Sequence, residues 1–272
     1  MKFTLIGTGF IMPRHAEAIY NLGGKIIDTV NTAYGEETWR KAATNPKTDY
    51  VIVLGPNDLH YEISLAAAQA GKTVLCEKPL ALTAAHIKDL SNYKNIFTVL
   101  QLRHHPMAKE LRASISPDKQ YDIEMDISVY RDPKYYETWK GQAARSGGVL
   151  FNLGIHYFDM LLYLFGAPIN YNVTSINDKT GTGEIRGKNW LCKFHVSTDE
   201  RRDNQRRVFK INGKDYNFSS QDNLSFENLH RHVYADLMQG KGIAPMDALP
   251  STQLVESLTH AEAGKEYKVT FS

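Results

Sequence analysis

The sequence holds only two cysteines in 272 residues, Cys76 and Cys192, far apart and outside any Cys-x-x-Cys spacing. A disulfide framework and a cysteine-based structural zinc site are thereby excluded, and two reduced, mostly buried thiols are expected. It also lacks a surplus of charge. The 32 basic and 30 acidic residues leave +2, too balanced for a dedicated nucleic-acid binder, so any anion site must be local. Long apolar runs are missing too: Tyr50–Leu54 and Met160–Phe165 are much shorter than the ~18 residues of a membrane span. The start of the chain has neither the apolar stretch nor the small-residue cleavage site of a signal peptide, so a cytoplasmic location with no membrane partner is expected. There is no internal repeat, low-complexity tract or Pro-rich linker. What remains is an ordinary globular composition, 42% apolar and 23% charged, on a chain long enough for about two domains.

The first hundred residues alternate. Lys2–Ile6 is a short β-rich run ending in Gly7-Thr8-Gly9, and the residues through Leu22 carry helical apolar spacing. Strands follow at Lys25–Val30, Tyr50–Leu54, Thr73–Cys76 and Ile96–Leu100. Between them lie a short helix at Glu36–Ala43 and helices at Tyr61–Ala70, closed by Gly71, and Thr83–Tyr93. Such alternation builds a parallel, doubly wound sheet. In that setting the Gly turn after the first strand is either a tight turn or a cradle for a pyrophosphate at a helix N-terminus. Met12 stands where the dinucleotide fingerprint has a third small residue, and Asn31 where it has an acidic one.

From Tyr121 the pattern becomes strict alternation, at 122–129, 189–196 and 205–218, with Asn212-Gly213 as a hairpin turn. Helices are expected at Asn152–Phe165, Phe226–Met238 and Leu249–Ala261. The fold class is therefore α/β: a Rossmann-type parallel sheet over residues 1–103, then an α+β domain over 104–272 with an open, mainly antiparallel sheet.

The run from Asp49 through Gly55-Pro56-Asn57 to His60, with Val74-Leu75-Cys76-Glu77-Lys78-Pro79-Leu80, resembles the Gfo/Idh/MocA family of NAD(P)-dependent sugar oxidoreductases. Gly147-Gly148 through Asn152, Gly154, His156 and Asp159 resembles the family's second signature. Within the family, Gln101-Leu102-Arg103-His104-His105, Trp139-Lys140-Gly141 and the Asn152–Asp159 run are most similar to bacterial dehydrogenases that oxidise C3 of UDP-N-acetylglucosaminuronate (UDP-GlcNAcA).

The resemblance implies NAD as cofactor, contacted by Gly7, Gly9, Phe10, Ile11, Asn31, Pro56, Asn57, His60, Glu77 and Lys78. NAD is favoured over NADP because no Arg follows Asn31 closely; the nearest is Arg40. It implies Lys78, His156 and Asn152 as catalytic residues. Oxidising a secondary alcohol needs a base for the hydroxyl proton and a group that steadies the alkoxide, which suits His and Lys. The family often has Asp where this chain has Asn152, and Asn cannot take a proton, so the base role falls on His156. Lys78, Arg103, His105, Lys140, Arg145, Asn152, His156 and Asp159 are expected to touch a UDP-sugar acid, the cations pairing with diphosphate and carboxylate. Asn152, His156 and Asp159, at helical spacing, are expected to face one cleft from one helix. Assembly as a homodimer or homotetramer through the C-terminal sheet is also implied.

No metal is expected: His230-Arg231-His232 lacks a third ligand in sequence, and an i,i+2 pair diverges on a helix. Asp199–Arg207, four Arg against three acids, is expected to be a solvated hairpin loop. Two other readings stand beside the main one: a family enzyme acting on another sugar or inositol, and a catalytically silent NAD-binding sensor. The presence of both Lys78 and His156 argues against the sensor.

Overall fold

A computed structural model describes residues 1–218 and 226–270. The chain forms two compact units, Met1–Gln101 with Phe226–Leu249 and Leu102–Ser225 with Pro250–Ser272. The first begins with β1 (Lys2–Ile6), α1 (Met12–Asn21), β2 (Lys25–Val30), α2 (Glu36–Ala43), β3 (Tyr50–Val53), α3 (His60–Gln69), β4 (Thr73–Cys76), α4 (Ala84–Leu90) and β5 (Ile96–Thr98). Its five strands are parallel in the order β2-β1-β3-β4-β5. Phe3, Leu5 and Ile6 of β1 and Val51, Ile52 and Val53 of β3 are wholly buried, as continuous apolar strands covered on both faces must be. Local chemistry sets the helix ends: Pro13 lies in the first turn of α1, and the Thr83 hydroxyl caps α4 by accepting from the His86 amide.

The second unit carries α5 (Pro106–Ser114), β6 (Tyr121–Ser128), the single turns α6 (Pro133–Tyr136) and α7 (Ala143–Ser146), a π-helical turn at Leu150–Gly154, and α8 (Ile155–Phe165). Strands β7 (Pro168–Ile176), β8 (Thr180–Gly187), β9 (Trp190–Ser197), β10 (Arg206–Ile211) and β11 (Lys214–Asp215) follow. With β12 (Glu266–Lys268) they form one sheet, β11-β10-β6-β9-β8-β7-β12. All its pairings are antiparallel except β6 with β9, which is parallel. Residues 198–205 therefore cross over β6 to reach β10; they are not the hairpin loop expected there. The Asn212-Gly213 hairpin does form, both residues at positive φ. Alternation along β8 and β9 buries Ile185, Cys192, Phe194 and Val196, and α8 packs on that face with the Phe158 and Phe194 rings edge to face.

Helix α9 (Phe226–Met238) belongs to the first unit, so a single cut after residue 103 would separate it from the sheet it covers. Helices α2, α3 and α4 supply Trp39, Ile63 and Ile87 to one face of the parallel sheet. On the other, α1 and α9 bring Ile19, Val233, Tyr234 and Leu237 onto Leu75, Phe97 and Val99. Without α9 the Leu75, Phe97 and Val99 side chains would lose part of that cover, where full exposure costs roughly 1.5–3 kcal/mol for each large side chain. The last helix, α10, spans Pro245–Thr259 rather than Leu249–Ala261.

One helical stretch, Ala143–Phe165, is long and apolar enough to cross a membrane by composition, contrary to the reading of short apolar runs. It joins α7, the π turn and α8, and most of it is buried in the protein, the mark of a core helix.

Candidate active site

In the first unit the strand order reverses direction between β1 and β3, where open α/β sheets bind ligands outside the carboxyl ends of their strands. Gly7 follows β1 at φ +119°, and a Cβ there would lie 2.4 Å from the Leu54 carbonyl carbon, so only glycine lets the two loops pass this closely. A Cβ on Gly9 would meet nothing within 4 Å, so the outer side of the turn is open. No side chain caps α1 at Ile11. An open glycine turn leading into a helix N-terminus without a side-chain cap fits a dinucleotide pyrophosphate.

Asn31 is placed at the end of β2 as expected, but its side chain is engaged within the protein: its amide donates to the Thr8 hydroxyl at 2.9 Å and its oxygen accepts from the Ala33 amide. Pro56, Asn57 and His60 are buried, whereas Phe10 is 79% exposed. His60 stitches two loops, with Nδ1 at 2.6 Å from the Pro79 carbonyl and Nε2 at 3.0 Å from the Gly55 carbonyl. Burial pushes its pKa down, and those two carbonyls push back. Lys78 is half-buried directly after β4.

Glu77 is buried and joined to histidines from distant parts of the chain. Its Oε1 lies 3.0 Å from His15 Nε2 and 3.4 Å from His230 Nε2. Burial is the largest influence on this carboxyl and opposes ionisation, but the bonds from His15 and His230 outweigh it and hold the pKa well below the usual range. The partners that His230 lacks in its own stretch of sequence thus come from α1 and the end of β4. One ligating atom from each of the three residues lies within 4.8 Å of the others.

In the second unit a cavity of about 140 Å³ is lined by Tyr135, Tyr136, Lys140, Asn152, Asp178 and Lys179, among others. The Lys140 ammonium sits over the rings of Tyr135 and Trp139 at 5.4 and 5.8 Å. Burial first, and then Arg131, lowers its pKa. Asn152 donates from its amide to the Tyr135 hydroxyl. Lys179, unanticipated, lies over the Tyr136 ring at 4.6 Å, brought there by the turn between β7 and β8. The signal for it was Asn177-Asp178-Lys179-Thr180, a turn-rich stretch in which Asn177 accepts from the Lys179 and Thr180 amides.

Other expected substrate residues lie outside this cavity's lining. Arg103 and Asp159 bond to each other, Nε to Oδ2 at 2.8 Å and Nη2 to Oδ1 at 2.6 Å. Asp159 is thus a buried partner of Arg103 and does not face an open cleft. His105 caps α5, its Nδ1 accepting from the Met107 amide, and packs edge-on against Phe218. Arg145 is half-buried at the end of α7, and His156 is half-buried in the first turn of α8. The π turn that holds Asn152 departs from the single regular helix expected for Asn152–Asp159; such turns recur at functional sites.

Comparison with known proteins gives two family matches. Residues 28–95 match an oxidoreductase family's NAD-binding Rossmann fold, and residues 119–198 match the C-terminal alpha/beta domain of the same family. Scyllo-inositol 2-dehydrogenase (NADP(+)) of Bacillus subtilis is 33% identical over 57% of this chain and 44% of its own length. Inositol 2-dehydrogenase of Rhizobium meliloti is 28% identical over 64% of this chain and 58% of its own. The chain spans about half the length of these curated relatives. Among solved structures, the WlbA (WbpB) dehydrogenase from Thermus thermophilus, crystallised with NAD and UDP-GlcNAcA, superimposes with a TM-score of 0.84. It is 26% identical, and the match covers 97% of this chain and 96% of that one.

Proposed function

The chain belongs to the Gfo/Idh/MocA family of oxidoreductases, and from that membership we propose that it oxidises the 3-hydroxyl of UDP-GlcNAcA to the 3-keto sugar with NAD. The observation that carries this reading is the whole-chain likeness to the Thermus thermophilus enzyme at a TM-score of 0.84; a putative myo-inositol dehydrogenase from Sinorhizobium meliloti also superimposes over its whole length, with the lower score of 0.73.

When bound, NAD supplies the hydride acceptor. The open Gly7–Gly9 turn and the N-terminus of α1 would hold its pyrophosphate, and the loops carrying Pro56, Asn57 and Glu77 would line its remainder. Arg40, the nearest arginine to a 2′-phosphate, pairs instead with Glu36 and lies over Trp39, which favours NAD over NADP. His156 takes the proton of the reacting hydroxyl and Lys78 steadies the alkoxide. Asn152 orients substrate through its amide and cannot replace the base. Lys140 and Lys179, cations on one cavity, meet the anionic groups of the substrate. A cytoplasmic location and assembly through the seven-stranded sheet complete the proposal.

A second reading, oxidation of inositol or another neutral sugar, is favoured by the curated relatives. A thermal-shift panel in the presence of NAD separates the two. UDP-GlcNAcA should raise the melting temperature, with UDP-GlcNAc weaker and free inositol silent; stabilisation by inositol alone would establish the second reading.

A further inference from the structure

Glu77 directly precedes Lys78, and its second carboxylate oxygen, Oε2, accepts the Lys78 backbone N–H at 3.1 Å. Its first oxygen faces Nε2 of His15 and Nε2 of His230. His15 and His230 are both buried and meet edge to face, with centroids 4.8 Å apart. Tyr234 Oη lies 2.9 Å from His15 Nδ1.

The chemistry of these atoms assigns the protons. An ionised carboxylate can only accept, so both Nε2 atoms carry hydrogen. His15, whose pKa burial pushes down, is neutral, so its Nδ1 accepts from the Tyr234 hydroxyl. Glu77 then receives three donors, two imidazole N–H groups and one backbone amide, enough to keep a buried carboxylate ionised. The Glu77 charge is felt in turn by the neighbouring titratable groups Cys76, His60 and Tyr234. A cation could be ligated by the same atoms, but each of them already has a hydrogen-bond partner without one.

We propose that His15, Glu77 and His230 form a positioning cluster for Lys78: the histidines from α1 and α9 hold the Glu77 carboxylate, which in turn fixes the lysine backbone at the end of β4. The inference rests on the reading of Lys78 as a group that touches the reacting atoms. It gives α9, far along the chain from Lys78, a part in the chemistry beyond covering the sheet.

The test has two arms. Nitrogen-15 imidazole NMR of the full-length protein, at neutral pH with and without chelator, should show a proton on Nε2 of both His15 and His230, unaffected by chelation, with His15 neutral. In turnover assays, Glu77→Gln should lower kcat roughly tenfold or more while KM changes less than twofold. His230→Ala should behave similarly, and His230→Gln, which keeps a donor, should recover most of the loss. The proposal is overturned by either ring lacking a proton on Nε2, by a doubly protonated His15, by a stoichiometric metal whose removal shifts both rings, or by Glu77→Gln with wild-type kcat. Absence of wild-type turnover on UDP-sugars would strike the substrate reading instead, and the tautomers would still decide this one.

Discussion

Replacing Asp159 with alanine should destabilise the second unit, because it strands a mostly buried guanidinium. The Asp159 side chain is 1% exposed and that of Arg103 17%. Removing one member of a buried ion pair costs about 3–5 kcal/mol. Arg103 retains some contact with water and with the Tyr163 ring, 5.6 Å from its guanidinium carbon, so the lower end applies, about 3 kcal/mol. At roughly 2–4 °C per kcal/mol, the melting temperature should fall by about 6–12 °C. The double variant Asp159→Ala with Arg103→Met should be less destabilised than the two single losses summed, by about 2 kcal/mol, because no unpaired charge remains. Thermal and urea denaturation followed by circular dichroism measure all three. If Asp159→Ala melts within about 2 °C of wild type and changes only KM, the pair binds substrate rather than bracing the fold, and the reasoning is refuted.

Three further outcomes are expected. Gly7→Ala should abolish NADH fluorescence binding or the fold itself, since φ +119° and a Cβ 2.4 Å from the Leu54 backbone leave no room; an alanine variant with unchanged NADH affinity would show that the turn can shift. Acid should destabilise the protein through His15 and Glu77. Both have folded pKa values below their unfolded ones, so the His15 contribution is present above about pH 6.5 and fades below it, and that of Glu77 fades below about pH 4.5. His15→Asn should flatten the fall of melting temperature just below pH 6.5, and an unchanged slope would contradict the assignment. Lys140→Met should raise KM for an anionic sugar nucleotide about tenfold or more with little change in kcat, and equal KM values would remove Lys140 from the site.

The parallel sheet was legible because a strand buried on both faces is written as one apolar run, as in Tyr50–Val53, and because Gly7 and Gly71 mark the turns. Strand β8 was hidden because Gly181, Gly183 and Gly187 make it look like a loop. The structure gives a reason at Gly183, where a Cβ would lie 2.2 Å from the Asn172 carbonyl oxygen of the neighbouring strand. The place of α9 was also hidden, since its apolar stripe fits any core and the contact that identifies its partner joins residues 153 apart. Of the candidate site, the glycine turn, Lys140 and Asn152 were readable from motif and composition. The pairing of Arg103 with Asp159 was not legible, because charge near a motif carries no sign of which opposite charge is already near it. Lys179 was missed because the β7–β8 turn that brings it to the cavity was not seen.

Incubating the purified protein with NAD and UDP-GlcNAcA while following NADH absorbance at 340 nm, with mass analysis of the sugar nucleotide, tests the central claim most directly. NADH formation matched by a product two mass units lighter that is oxidised at C3 is expected, with little turnover of UDP-GlcNAc. Turnover of inositol or a free sugar with none of UDP-GlcNAcA would contradict it.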